Sequence, residues 1–200
     1  MLKLVLPIAS YIWGSVPFGF LIAYWVKGID IRSFGSGNIG ATNVFRVVGR
    51  KWGIIVFILD FLKGLIPPFV AAALIPDVSG RLIIIISLLS VCGHNWTLFL
   101  KFKGGKGVAT SLGVMVSLSL FFQNLGFILL AALITWVITF LIFRYVSLAS
   151  ILAGFIFVLF SLLFSQELDV KIISSVFFIF ITLRHKNNIR SLVGKKELRF

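Results

Sequence analysis

Nearly all the residues in this chain that can do chemistry fall in three short segments. The first reads Ser36-Gly37-Asn38-Ile39-Gly40-Ala41-Thr42-Asn43, the second joins Gly93-His94-Asn95 to Lys101-Phe102-Lys103-Gly104-Gly105-Lys106-Gly107, and the third is Arg184-His185-Lys186-Asn187-Asn188. Glycine lets main-chain N–H groups come close to a ligand, asparagine fixes its orientation, and lysine and arginine neutralise negative charge. That combination suits phosphate, bound at the face of a membrane because the chain between the segments is apolar.

Each segment also has a plainer reading. In the first, glycine and asparagine tolerate positive φ, so successive N–H groups can form an anion nest flanked by the Ser36 and Thr42 hydroxyls. Arg46 lies about one helical turn beyond Thr42 and Asn43, where a planar guanidinium can grip a phosphate at two points. The plainer reading is a capped glycine loop. In the second, Lys101, Lys103 and Lys106 alternate with Gly104, Gly105 and Gly107 just before a helix predicted from Val108, whose N-terminus favours an anion. It is not a nucleotide-binding P-loop, because Leu100 stands where the first glycine belongs and Gly107 where Ser or Thr follows the lysine. A row of lysines also anchors a cytoplasmic loop with no ligand at all.

The only histidines are His94, beside Asn95, and His185, between Arg184 and Lys186 and close to Asn188. No carboxylate stands at ligand spacing from either, and a single cysteine, Cys92, permits neither a cysteine metal site nor an internal disulfide. No metal and no cofactor is implied. Asp60 and Lys63 can pair at i, i+3 within a predicted span, and they stand behind the site rather than in it. Ser147 caps a later helix or adds one hydroxyl from the same face.

These segments need something to position them. Hydrophobic residues make up 60% of the 200 and charged residues 12%, with a mean hydropathy of +1.11. Such a chain has no polar surface for a soluble globule and is an all-α integral membrane protein. The net charge of +13 does not point to nucleic acid, since most basic residues sit in short connections between spans, facing headgroups or anionic substrates. Apolar runs predict about seven transmembrane helices, over 2–26, 52–75, 81–93, 108–122, 125–143, 146–164 and 170–183, in one bundle and one domain spanning 1–200. The first run is too long for a signal peptide and is read as retained. Pro67-Pro68 is expected to kink the second helix and Pro76 to end it. Ser10, Gly14, Ser15 and Gly19 are expected to let the first helix approach its neighbours closely.

Alternating the spans puts residues 27–51, 94–107, 144–145 and 184–200 on one face, with 15 of the 19 basic residues. The positive-inside rule makes that face cytoplasmic, so the N-terminus is outside, the C-terminus is cytoplasmic, and all three polar segments share the cytoplasmic side. The helices at 108–122 and 170–183 look short, so the segments are expected to dip below the headgroups, where an acyl chain can approach sideways from the bilayer.

In this order and on one face, the segments 36–43, 93–110 and 184–197 resemble those of the bacterial acyl-phosphate:glycerol-3-phosphate acyltransferases, the PlsY family, along essentially the whole chain. The resemblance implies an enzyme of the bacterial inner membrane. It would move a fatty acyl group from acyl phosphate to sn-glycerol 3-phosphate, giving lysophosphatidic acid and phosphate. Two phosphorylated substrates need two basic, glycine-lined loops, and the chain has two. An acyl phosphate is already activated, so positioning and charge stabilisation can supply most of the acceleration. No Ser-His-acid set is legible, and the His-x4-Asp pair of other acyltransferases is absent, Phe99 and Arg190 standing at those spacings. The expected mechanism is therefore substrate-assisted: a donor phosphate oxygen takes the glycerol hydroxyl proton while Arg46 and the lysines, Lys106 among them, hold the phosphates. His185 as general base is the competing scheme. Outside this class, the alternative is a membrane carrier for phosphate or an organophosphate. Carriers place the site near the midplane between repeats, however, and no repeat is visible. The sequence identifies no protein partner.

Overall fold

The computed structural model describes residues 1–164 and 167–200, and they divide into two compact units, Met1–Ser117 and Leu118–Phe200. In the first unit the predicted opening helix is broken. α1 covers Leu2–Ser15 and α2 covers Phe18–Lys27, with Val16 at ψ 116° between them. Pro17 has no N–H to donate and its ring drives the preceding residue out of helical geometry, which is why the expected single helix over 2–26 does not form. Together the pieces still make one apolar span, Leu2–Lys27.

A short 3-10 turn at Ile31–Ser33 and the helix α3, Ala41–Val47, carry the first polar segment. α4 follows as Arg50–Leu74 and runs through the buried Pro67 and Pro68 before its cap at Ile75, just ahead of Pro76. α5 is Gly80–Asn95, opened by the Ser79 hydroxyl, which accepts the Leu82 N–H at 3.3 Å. A turn at Leu98–Leu100 leads through the lysine loop into α6, Val108–Leu118, which stops short of the expected Phe122.

Small residues bring these helices together, as the Ser and Gly pattern of the first span predicts. A side chain at Gly14 of α1 would collide with the Ser90 main chain of α5, and one at Gly93 of α5 would collide with the main chain of Tyr11 in α1. The Ser10 hydroxyl donates to the Ile86 carbonyl at 2.7 Å and Tyr11 OH to the Trp96 carbonyl at 2.7 Å. The same reciprocal device joins α4 to α6: Gly64 abuts the Thr110 carbonyl and Gly113 the Phe61 carbonyl. Inside a bilayer lipid tails are as apolar as leucine, so helices gain little from hydrophobicity and depend on such close backbone packing and on interhelical hydrogen bonds.

In the second unit α7 is Leu125–Phe143, α8 Val146–Phe164, α9 Leu168–Arg184 and α10 Lys186–Val193. The Trp136 indole donates to the Ser150 hydroxyl at 3.3 Å, joining α7 to α8, and the Ser161 and Ser174 hydroxyls lie 2.9 Å apart between α8 and α9. Beyond α10 the chain folds back, with the Phe200 N–H on the Arg144 carbonyl at 2.9 Å and Arg199 Nε on Tyr145 OH at 3.1 Å.

Among the described residues, five helical segments are long and apolar enough to cross a bilayer: Leu2–Lys27, Arg50–Leu74, Gly80–Leu100, Leu125–Phe143 and Val146–Phe164. α6 and α9 have 11 and 17 residues, fewer than the ~20 that a straight apolar span needs.

Candidate active site

The first polar segment is organised by one side chain. Asn43 is buried in α3. Its Nδ2 donates toward the carbonyls of Ile31, Phe34 and Asn38 at 3.3, 3.0 and 2.9 Å, and its Oδ1 accepts the Ser36 N–H at 2.9 Å. Gly37 turns at φ +70° and gives its N–H to Phe34, while Asn38 Oδ1 takes the Gly40 N–H at 2.8 Å. Thr42 and Asn43 therefore belong to a helix rather than to the loop, and Gly40 is extended, at φ −78°, as the cap of that helix. Among the described residues, the main-chain N–H groups of Asn38 and Ile39, with those of Ala41 and Thr42 at the first turn of α3, take no part in this internal pattern. Ser36 and Gly37 are exposed; Asn38, Gly40, Thr42 and Arg46, in the last turn of α3, are half-buried. Below the loop, Arg32 pairs with Asp30 at 2.6 Å, and this bonding holds the Asp30 carboxyl below the usual carboxylate range.

In the second segment the glycines answer to packing. The Gly105 N–H donates to the His94 carbonyl at 3.0 Å. A side chain on Gly104 would strike the His94 and Asn95 main chain, one on Gly105 the edge of the His94 ring at Nε2, and one on Gly107, itself at φ +75°, the Asn95 amide. The loop lies directly on His94 and Asn95, which only glycine permits. Lys101 and Lys103 are exposed and Lys106 is half-buried. Asn95 is fully buried, yet among the described residues neither Oδ1 nor Nδ2 has a hydrogen-bond partner; Thr110 Oγ1, two residues into α6, is in the same condition. Buried amides are normally satisfied, so an orphaned one beside a glycine-rich basic loop suits a ligand. The two loops are brought together: Ile39 of the first and Leu100 at the foot of the second share one buried apolar cluster with Ile22, Ala23, Val44 and Val56.

Behind the second loop are the intramembrane charges. Lys63 Nζ is 2.8 Å from Asp60 Oδ1 and 4.9 Å from the centre of the Phe18 ring, and His94 Nδ1 is 3.6 Å from the same Asp60 oxygen. The i, i+3 spacing gave the pair but not its link to His94. That link depends on how α4 and α5 are turned toward each other.

The third segment lies in the second unit. His185, buried at the end of α9, donates from Nδ1 to the Ile181 carbonyl at 2.8 Å, so Nε2 carries the lone pair when the ring is neutral. Arg184 and Asn188 are half-buried. Asn188 Nδ2 and the Ser147 hydroxyl both donate to Glu197 Oε1, at 2.6 and 2.8 Å. Glu197 was not among the residues singled out from the sequence. Its signal was there, since it is the only acid in the basic stretch 184–200.

Apolar spans packed through glycine and serine, with glycine-rich basic loops at helix ends, define a multi-pass integral membrane protein with loops suited to anions. The chain belongs to the glycerol-3-phosphate acyltransferase family, whose model matches residues 4–195. The glycerol-3-phosphate acyltransferase of Aquifex aeolicus is 42% identical, each chain covering 100% of the other, and that of Geotalea daltonii is 43% identical over 98% of this chain and 96% of its own. Among solved structures, the glycerol 3-phosphate form of PlsY (YgiH), an integral membrane glycerol 3-phosphate acyltransferase, superimposes with a TM-score of 0.90 at 42% identity, covering 100% of this chain and 96% of that one. A lysophosphatidic acid form of PlsY gives a TM-score of 0.87 at 41% identity, with the same coverage.

Proposed function

We propose that this protein transfers a fatty acyl group from acyl phosphate to sn-glycerol 3-phosphate, releasing 1-acyl-glycerol 3-phosphate, which is lysophosphatidic acid, and inorganic phosphate. The observation that carries this reading is the pair of basic glycine loops sharing one core cluster, one with Arg46 and the other with Lys106. Two loops match a reaction in which both substrates carry phosphate. The names of the relatives supply glycerol 3-phosphate, and the second PlsY form fits lysophosphatidic acid as product.

In the reaction the glycerol hydroxyl oxygen attacks the acyl carbon. Its proton passes to a phosphate oxygen of the donor, and the acyl–phosphate bond breaks with its electron pair on the departing phosphate. Arg46 and Lys106 stabilise the negative charge, main-chain N–H groups at the start of α3 polarise what they face, and Lys101 and Lys103 draw anions in. Ser36, Gly37, Asn38, Gly40 and Thr42 form one phosphate loop, framed by Asn43. Gly104, Gly105 and Gly107 form the other, on His94 and Asn95. In the second unit, Ser147, Arg184, His185 and Asn188 are further substrate-contacting groups of this reading, His185 orienting substrate. The protein works in the inner membrane with these loops cytoplasmic, its N-terminus outside, its C-terminus inside, and α6 and α9 as short sixth and seventh spans of one domain.

The test is purified protein with glycerol 3-phosphate and either acyl phosphate or acyl thioesters of coenzyme A or acyl carrier protein, in the presence and absence of EDTA. Acyl phosphate should give lysophosphatidic acid with or without EDTA, and thioesters should not; comparable thioester turnover overturns the donor assignment. In the same assay His185→Ala should retain measurable turnover. Complete loss in a folded variant that still binds both substrates makes His185 the general base.

A further inference from the structure

Asp60 and Lys63 have no part in the chemistry above, yet at 2% and 1% exposure they are buried more deeply than any other charged side chain among the described residues. A buried ion pair is poor evidence for stability, because apolar residues of similar size usually serve as well, and charges retained within a membrane span call for a function. Their neighbours show which. The pair sits on the turn of α4 that meets α5 and α6. The Lys63 carbonyl accepts the Ser90 hydroxyl at 2.5 Å, and the next residue, Gly64, lies on the Thr110 carbonyl. Asp60 Oδ1, 2.8 Å from Lys63, also lies 3.6 Å from His94 Nδ1. The opposite edge of the His94 ring meets Gly105, whose N–H is held by the His94 carbonyl. Lys106 is the next residue.

We infer that Asp60 is a positioning residue: its carboxylate, kept by Lys63 from being a lone charge, fixes the His94 ring, and the ring fixes the 104–107 loop and with it the direction of Lys106. The inference rests on the reading of that loop as a substrate grip. Lys63 neutralises the carboxylate inside the span and leaves Oδ1 at 3.6 Å from the imidazole, an electrostatic contact longer than a hydrogen bond. The ring then acts as a wedge of set orientation beneath a loop that has no side chains of its own at 104, 105 and 107 to hold it.

The experiment separates this role from simple charge balance. Asp60→Asn, and Asp60→Asn combined with Lys63→Met, are made in the full chain and compared with the wild type in melting temperature, in amide hydrogen exchange at Gly105, and in kcat and the KM for each substrate. Asp60→Asn should lower the melting temperature because Lys63 is left unpaired, and the double variant should regain it. In both, exchange at Gly105 should quicken about 10-fold and the KM for one phosphorylated substrate should rise about 10-fold, the other staying put, as expected when an orienting partner is lost. A double variant that regains stability together with wild-type exchange and both wild-type KM values overturns the inference, because the pair then only balances charge. If Asp60→Asn does not fold, the double variant decides alone. If the wild type fails to acylate glycerol 3-phosphate, the acyltransfer reading falls, while the exchange measurement still decides whether Asp60 orders the loop.

Discussion

The loop at 36–40 and the loop at 104–107 are both rich in glycine, the first with Arg46 one helix further on and the second with Lys106 inside it, and they are built by opposite means. The first hangs from a single amide: Asn43 reaches Ser36, Ile31, Phe34 and Asn38, so both of its polar atoms are in use. The second is pressed onto a support, and its glycines are there because His94 and Asn95 leave no room for side chains. One buried asparagine is consumed in holding its loop; the other, Asn95, has no hydrogen-bond partner among the described residues. A glycine-rich basic stretch in a sequence thus states that a backbone must come close to something, and the structure decides whether that something is a ligand or the protein itself.

The comparison can be broken most forcefully at its cations. In the proposed reaction Arg46→Ala and Lys106→Ala each remove a charge assigned to stabilising developing negative charge, and each should cost on the order of 100-fold or more in kcat/KM for acyl transfer. A variant within a few-fold of the wild type would show that its loop is scaffolding. The asparagines sharpen the contrast. Asn43→Ala removes the four hydrogen bonds that shape the first loop and should destabilise the protein by about 4 kcal/mol, at about 1 kcal/mol per bond. Asn95→Ala breaks no hydrogen bond and should cost less than about 1 kcal/mol in stability while lowering kcat/KM about 10-fold or more. Thermal melts and steady-state kinetics on the same preparations check both halves; equal stability losses would erase the distinction. The smallest effect concerns the acid below the first loop, which has no counterpart in 96–107. The Arg32 guanidinium lowers the Asp30 carboxyl, so its stabilisation is present above the ordinary carboxylate pKa of about 3.9 and fades as pH falls through the lower folded value. With both side chains about 40% exposed, Asp30→Asn should cost under about 1 kcal/mol at neutral pH, less in high salt, and nothing once the carboxyl is protonated.

The long apolar helices were readable from hydropathy because each is one uninterrupted run, and α7 and α8 have the predicted bounds. The opening span was misread because hydropathy passes smoothly over a helix breaker: Pro17 lies among residues as apolar as its neighbours, and only its missing N–H reveals the break. The residue types of the candidate site were legible, since lysine, histidine and asparagine stand out in such a chain. Their division of labour was not. Whether Asn43 faces a ligand or the Phe34 carbonyl depends on three-dimensional closure of the loop. The approach of Asp60 to His94 depends on the rotation of two helices, and the bonding of Glu197 to Ser147 and Asn188 on a tail folding back. None of these is a local property of sequence.

The break at Pro17 also bears on the order in which the molecule can be made. The Ser15 carbonyl, beside the break, is bonded by the Thr97 hydroxyl, 82 residues later in the chain. At roughly 5–20 residues per second, synthesis takes on the order of 4–16 seconds to supply that partner. Until then the nascent first span has a polar backbone atom that lipid cannot satisfy. Its final seating must wait for the end of α5, so the docking of α1 against α5 trails the synthesis of α1 by roughly that interval and can precede the making of α7 to α10.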